Sequence, residues 1–131
     1  MRLRSLLVGG DGAVLAERTN TVGAGDVTGH PELELARWAS VHLGPDDRAA
    51  ATMYTSCEHC AMCAGAFFWA GLGRLVFALS GAQLIAIAPG GPVLDLPVRD
   101  VFARGNREIA VEGPCDELTT EAVGVFDGFW E

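Results

Sequence analysis

Apolar positions along this chain come in short bursts, separated by glycine- and proline-rich punctuation, which predicts strands and helices of modest length. Residues 5–8 form a short apolar run. Gly9, Gly10, Asp11 and Gly12 supply turn chemistry that tolerates positive φ, and an extended pattern resumes over 13–17, so the start reads as a β-hairpin. From His30 onward Leu33, Leu35, Ala36, Trp38, Ala39, Val41 and Leu43 recur with helical spacing. Gly44-Pro45 closes that segment, placing the helix start at or beside His30. Residues 51–55 read as a buried strand, 60–70 as an apolar helix stopped by Gly71, and 74–79 as a second buried strand. Strand, helix, strand is a βαβ unit, whose strands should be parallel and joined by a right-handed crossover. Residues 80–104 hold Pro89, Pro92, Pro97 and a Gly90-Gly91 pair, predicting irregular structure with a short helical turn near Gln83. A last strand is expected over 107–111, and a C-terminal helix over 116–130 interrupted by Gly124 and Gly128. The sum is a mixed sheet flanked by helices.

Neither an internal repeat nor a long polar linker divides the 131 residues, so residues 1–131 are expected to form one domain with one active site. The formal charge of −8 argues against a groove that neutralises many phosphates, so nucleic acid is not the expected partner. The sequence contains no apolar run approaching the ~20 residues that span a bilayer, and the stretch after Met1, Arg2, Leu3 and Arg4 is too short for a signal peptide. A cytoplasmic location without membrane contact is expected. Three of the four cysteines fall between positions 57 and 63, a clustering that suits metal or catalytic ligands better than a disulfide framework.

The chemistry gathers in two places, His30-Pro31-Glu32 and Cys57-Glu58-His59-Cys60-Ala61-Met62-Cys63. Together they meet the zinc-deaminase signature H-x-E followed by P-C-x-x-C except for its proline. Cys60 and Cys63 stand one turn apart at a predicted helix start, where both sulfurs can reach one ion, and a second helix start brings His30. Three protein ligands leave a fourth tetrahedral position for water, the mark of a catalytic rather than a structural zinc. The helix N-terminus at Cys60 favours the thiolate. Glu32 lies two residues beyond His30, so its carboxylate points away from the ligand direction and is free to move protons. Hydrolytic deamination needs a base for the attacking water, an acid for the ring nitrogen and an acid for the departing ammonia, and one carboxyl can serve all three in turn.

At these residues the sequence resembles the cytidine-deaminase-like superfamily, within it the bacterial guanine deaminase and nucleobase deaminase branch. Asn20-Thr21-Val22, Asp26 to Glu32, and Tyr54 to Ala66 are similar to that branch's N-x-V, D-P-T-A-H-A-E and Y-T-S-C-E-P-C-P-M-C-x-G-A runs. The resemblance implies a three-layer α/β/α sandwich around a five-stranded mixed sheet, usually a homodimer, with Zn2+ on His30, Cys60 and Cys63. It also implies that Asn20 contacts the base and that the C-terminal tail, with Phe126, Phe129, Trp130 and Glu131, helps close the pocket. His59 and Ala61 replace the signature's two prolines, and Pro31 replaces the alanine after the ligand histidine. His-Pro-Glu and Glu-His-Cys resemble a subgroup acting on unusual bases, including s-triazines such as ammeline. The family's first helix has no counterpart before Ser5.

Other residues carry two readings each. Cys57 is either a third thiolate sealing the site or a buried free thiol, and Cys115 reads as an inert small residue. His59 either touches substrate at the pocket rim or caps the helix. His42 fits a solvated imidazole near a helix C-terminus. Trp38, Trp69, Phe67 and Phe68 read as core. Glu34 and Arg37 form a surface pair, and Glu58 either orients substrate or faces solvent. The expected function is zinc-dependent deamination of a small amino-substituted heteroaromatic base, with guanine, a cytosine-like base or an aminotriazine as substrate. One rival is adenosine editing in tRNA, disfavoured by the acidic balance. The other is an inactive, zinc-stabilised interaction domain, against which Glu32 speaks, since a structural site has no use for an acid between its ligands.

Overall fold

The structure is a computed structural model, described here for residues 3–19, 25–87, 90 and 92–115. Its elements run β1 (Arg4–Val8), β2 (Val14–Thr19), α1 (Pro31–His42), α2 (Pro45–Ala50), β3 (Thr52–Cys57), α3 (Ala61–Trp69), β4 (Arg74–Leu79), α4 (Gly81–Ile87), α5 (Val98–Ala103) and β5 (Ala110–Glu112). The strands form one five-stranded mixed sheet in the order β2-β1-β3-β4-β5. β1 pairs antiparallel with β2 and β3, whereas β3, β4 and β5 run parallel.

The hairpin closes as its glycines predict. Gly12 takes φ +87°, the left-handed region that glycine enters without steric cost, and the Gly9 N–H donates to the Ala13 carbonyl. Asp11 Oδ1 accepts from the Ala13 N–H at 3.0 Å, an Asx-type contact that stiffens the turn. In α1, Pro31 occupies the first helical position, where its missing N–H costs nothing, and Glu32 and Glu34 sit in the first turn near the positive end of the helix dipole.

Strand register sets the core. Ala16, Leu7, Met53, Leu75 and Val111 stand opposite one another in a single row across all five strands. Leu7, Met53 and Leu75 are fully buried beneath helices contributing Leu35, Ala39, Ala64 and Phe67. Each such side chain contributes roughly 1.5–3 kcal/mol of burial, enough together to clamp α1 and α3 onto the same sheet face. α1 packs against α3, β1 and β2, and α3 against α5. A smaller cluster of Cys57, Ala78 and Leu79 is covered by Leu3 and by Leu84 and Ile87 of α4.

The expected βαβ unit and its parallel strands are present. Several details differ from the pattern-based expectation. Pro45 does not merely end α1; it starts α2, and Pro97 caps α5 inside a stretch expected to be irregular apart from a turn near Gln83, where α4 lies. In both cases proline opens a short helix, a role a breaker count overlooks. The last strand is shorter and shifted to Ala110–Glu112. Trp69, expected in the core, is 84% exposed at the last residue of α3, while Phe67 is fully buried. Trp38 and Phe68 pack on the core edge. The helix expected over 116–130 lies outside the described residues. No described helix is long and apolar enough to cross a membrane.

Candidate metal centre and active site

Two helix starts converge at the carboxyl end of β3. His30 is the N-cap residue of α1, with extended backbone at φ −80° and ψ 138°. Cys60 is the N-cap residue of α3, and Cys63 lies in that helix's first turn, where the Ala64 N–H closes onto the Cys60 carbonyl at 2.9 Å. Capping residues hold their side chains at the mouth of a helix, so two such residues and one first-turn residue can share a point in space.

They do. His30 Nδ1 lies 3.6 Å from Cys60 Sγ and 3.4 Å from Cys63 Sγ. The three donor atoms all fall within 4.8 Å of one another, and theirs is the group among the described residues that could hold a metal ion. For a tetrahedral zinc, with bonds of ~2.3 Å to sulfur and ~2.0 Å to nitrogen, nitrogen and sulfur ligands stand about 3.5 Å apart. One imidazole and two sulfurs at that spacing fit such an ion by both donor chemistry and separation. Cys57, the alternative third thiolate, is buried but outside this group. Burial and then the nearby Glu32 push its thiol pKa up, which suits an inert thiol.

The two cysteine thiols differ. The Cys60 thiol is pulled down to about 5, first by the hydrogen bond from the Cys63 side chain and, against its own burial, by the Cys63 N–H and His30. The Cys63 thiol is pushed up by donating to Cys60 and by burial. Of the two thiols, Cys60 is thus the readier to ionise.

Glu32 is buried beside them, at 7% exposure. Burial, with a smaller contribution from Cys60, pushes its carboxyl up to about 7, while His30 and hydrogen bonds from its own N–H and from the Cys63 side chain act the other way. A carboxyl balanced there changes protonation at modest cost, which is what a proton carrier needs. Its Oε1 lies 3.5 Å from the Ser5 hydroxyl of β1.

The remaining candidates fall differently. His59 is buried rather than on a rim, its ring edge-on to Phe67 at 5.7 Å, and it makes no capping hydrogen bond to α3. Burial, then His30, lowers its pKa to about 3, so the ring is neutral. Neither ring nitrogen has a hydrogen-bond partner among the described residues. Asn20, Phe126, Phe129, Trp130 and Glu131 lie outside the described residues. An open groove of about 870 Å3, lined by residues including Arg99, Asn106 and Arg107, shares no residue with the donor group.

Glu58 does not simply face solvent, since both of its carboxylate oxygens are engaged by backbone. Its Oε1 accepts from the Gly81 N–H at 2.9 Å and its Oε2 from the Val98 N–H at 2.7 Å, while its own N–H donates to the Leu79 carbonyl. It ties the loop carrying Cys60 to the starts of α4 and α5. Sequence reasoning missed this, and missed Ser5, although a serine two residues from Leu7 on the inward face was a visible break in the apolar pattern.

A family model described as MafB19-like deaminase matches residues 4–106. The chain is 36% identical over 121 residues to a probable cytosine deaminase of Schizosaccharomyces pombe, covering 90% of this chain and 72% of that protein. It is 44% identical over 61 residues to a guanine deaminase of Bacillus subtilis, covering 46% of this chain and 39% of that one. Among solved structures, a guanine deaminase from Nitrosomonas europaea superposes with a TM-score of 0.69 at 23% identity, over 97% of this chain and 71% of that one, a likeness of fold.

Proposed function

The chain belongs to the MafB19-like deaminase family, a family of hydrolases acting on C–N bonds, and from that premise we propose that it deaminates a small amino-substituted heteroaromatic base with zinc as cofactor. The observation that carries this reading is the convergence of His30, Cys60 and Cys63 at metal-ligand spacing beside the buried Glu32. The names of the relatives support the substrate class, since cytosine and guanine both carry an exocyclic amine next to a ring nitrogen. An aminotriazine such as ammeline presents the same group.

His30, Cys60 and Cys63 would hold the ion. A zinc ion in that cradle would supply Lewis acidity, making water an effective nucleophile near neutral pH. Glu32 takes the proton from the attacking water and passes it to the ring nitrogen. Once the carbon–oxygen bond has formed, Glu32 takes the second proton from the hydroxyl now on the ring carbon and delivers it to the amine; the carbon–nitrogen bond breaks, a carbonyl remains and ammonia departs. Asn20 and Trp130 are proposed to contact the base. A second copy is proposed to complete a homodimer, which sedimentation would check.

The deciding experiment loads the protein with zinc and measures ammonia release over a panel of guanine, cytosine, ammeline and tRNA. Release from at least one free base supports the proposal. Inosine in tRNA with no free base turned over would replace it, and bound metal with no turnover of any substrate would favour a structural site.

A further inference from the structure

Two buried hydroxyls lie under Glu32 on a sheet face whose other fully buried residues are apolar. Ser5 of β1 and Thr55 of β3 stand directly opposite in the strand register, at 0% and 7% exposure, in a region whose inward neighbours are Leu7, Met53 and Phe77. Burying a hydroxyl is costly unless it is hydrogen-bonded, so two at this place need partners. They have each other, with oxygens 2.9 Å apart, and they have Glu32, whose Oε1 is 3.5 Å from Ser5 Oγ.

From this juxtaposition we infer that Ser5, oriented by Thr55, is a positioning residue that holds the Glu32 carboxyl in its working direction. Each hydroxyl has one proton to give. If Thr55 donates to Ser5, the Ser5 proton is turned toward Oε1 of Glu32, leaving the other carboxyl oxygen for the reacting atoms. The Cys63 side chain also reaches Glu32, but a cysteine serving as a thiolate ligand has no proton to donate. Among the described residues Ser5 is then the neutral side-chain donor that reaches the carboxyl. A carboxyl held at one oxygen cannot swing away between its successive proton transfers, and orientation of this kind acts on the chemical step more than on substrate binding.

The inference rests on the proposed role of Glu32, and its test separates the two. In Ser5→Ala, kcat for the best base should fall about tenfold with KM within about twofold, the pattern of an interaction that matters in the transition state. Zinc content should not change. Thr55→Val, which leaves the Ser5 hydroxyl unoriented, should show a smaller fall of the same kind. Independently of turnover, the Glu32 carboxyl band in infrared spectra, identified by its absence from Glu32→Gln, should shift in Ser5→Ala. An unmoved band, an unchanged kcat, or loss of zinc in step with activity would overturn the inference. If the wild type turns over none of the bases, the deaminase proposal falls, and the infrared band alone decides whether Ser5 holds Glu32.

Discussion

Glu58 Oε2 accepts a 2.7 Å hydrogen bond from the N–H of Val98, forty residues further along the chain. With the second bond from the Gly81 N–H, one carboxylate satisfies two backbone donors at the starts of two helices and fastens both to the cysteine loop. Hydrogen bonds to a charged acceptor contribute about 1.5–3 kcal/mol each, and these are partly exposed, so Glu58→Ala should destabilise the protein by roughly 2–4 kcal/mol. Glu58→Gln, which keeps one acceptor oxygen, should fall between. Denaturant unfolding of the metal-loaded proteins measures both.

Gly73 precedes β4 and abuts the end of α2, so a Cβ there would meet the Ala49 carbonyl oxygen in a severe clash. Backbone must shift to admit it, so Gly73→Ala should cost more than about 3 kcal/mol. Gly65, inside α3, has nothing within 4 Å of the place an added methyl would occupy, and Gly65→Ala should stabilise by roughly 0.5–1 kcal/mol through helix propensity. Opposite shifts in melting temperature are the expected result.

If the three donors hold zinc in the folded state alone, removing it with a chelator should lower the melting temperature, and returning zinc should restore it. His30→Ala and Cys63→Ala should lose bound zinc as measured by elemental analysis.

Cys57 provides the opposite control. It is buried at the end of β3 but outside the donor group, so Cys57→Ala should retain zinc at the wild-type stoichiometry. Loss of zinc from this variant would mean a sealed, structural site.

The long helices are legible in the sequence because each repeats its apolar residues with a helical period, and the central strands because burial makes them short, nearly continuous apolar runs, as in β4, where all but the first residue is buried. The donor group is legible for another reason: one turn of helix spaces Cys60 and Cys63, and the helix starts bring His30 to them. Short helices α2 and α5 are not, because six residues cannot display a period and their opening prolines look like breaks. Trp69 escapes a pattern-based reading because an apolar helix with aromatic residues at successive positions does not say which of them faces out. Ser5 and Glu58 act through tertiary partners 27 and 40 residues distant, and no local pattern announces such contacts.

The central claim is that Glu32 moves the protons of a hydrolysis whose metal is held by other residues. Ammonia release by zinc-loaded Glu32→Gln against zinc-loaded wild type tests it most directly. The amide can neither take nor give the proton, so release should fall by at least ~100-fold while zinc stays bound. A Glu32→Gln protein that releases ammonia at close to the wild-type rate would contradict the account.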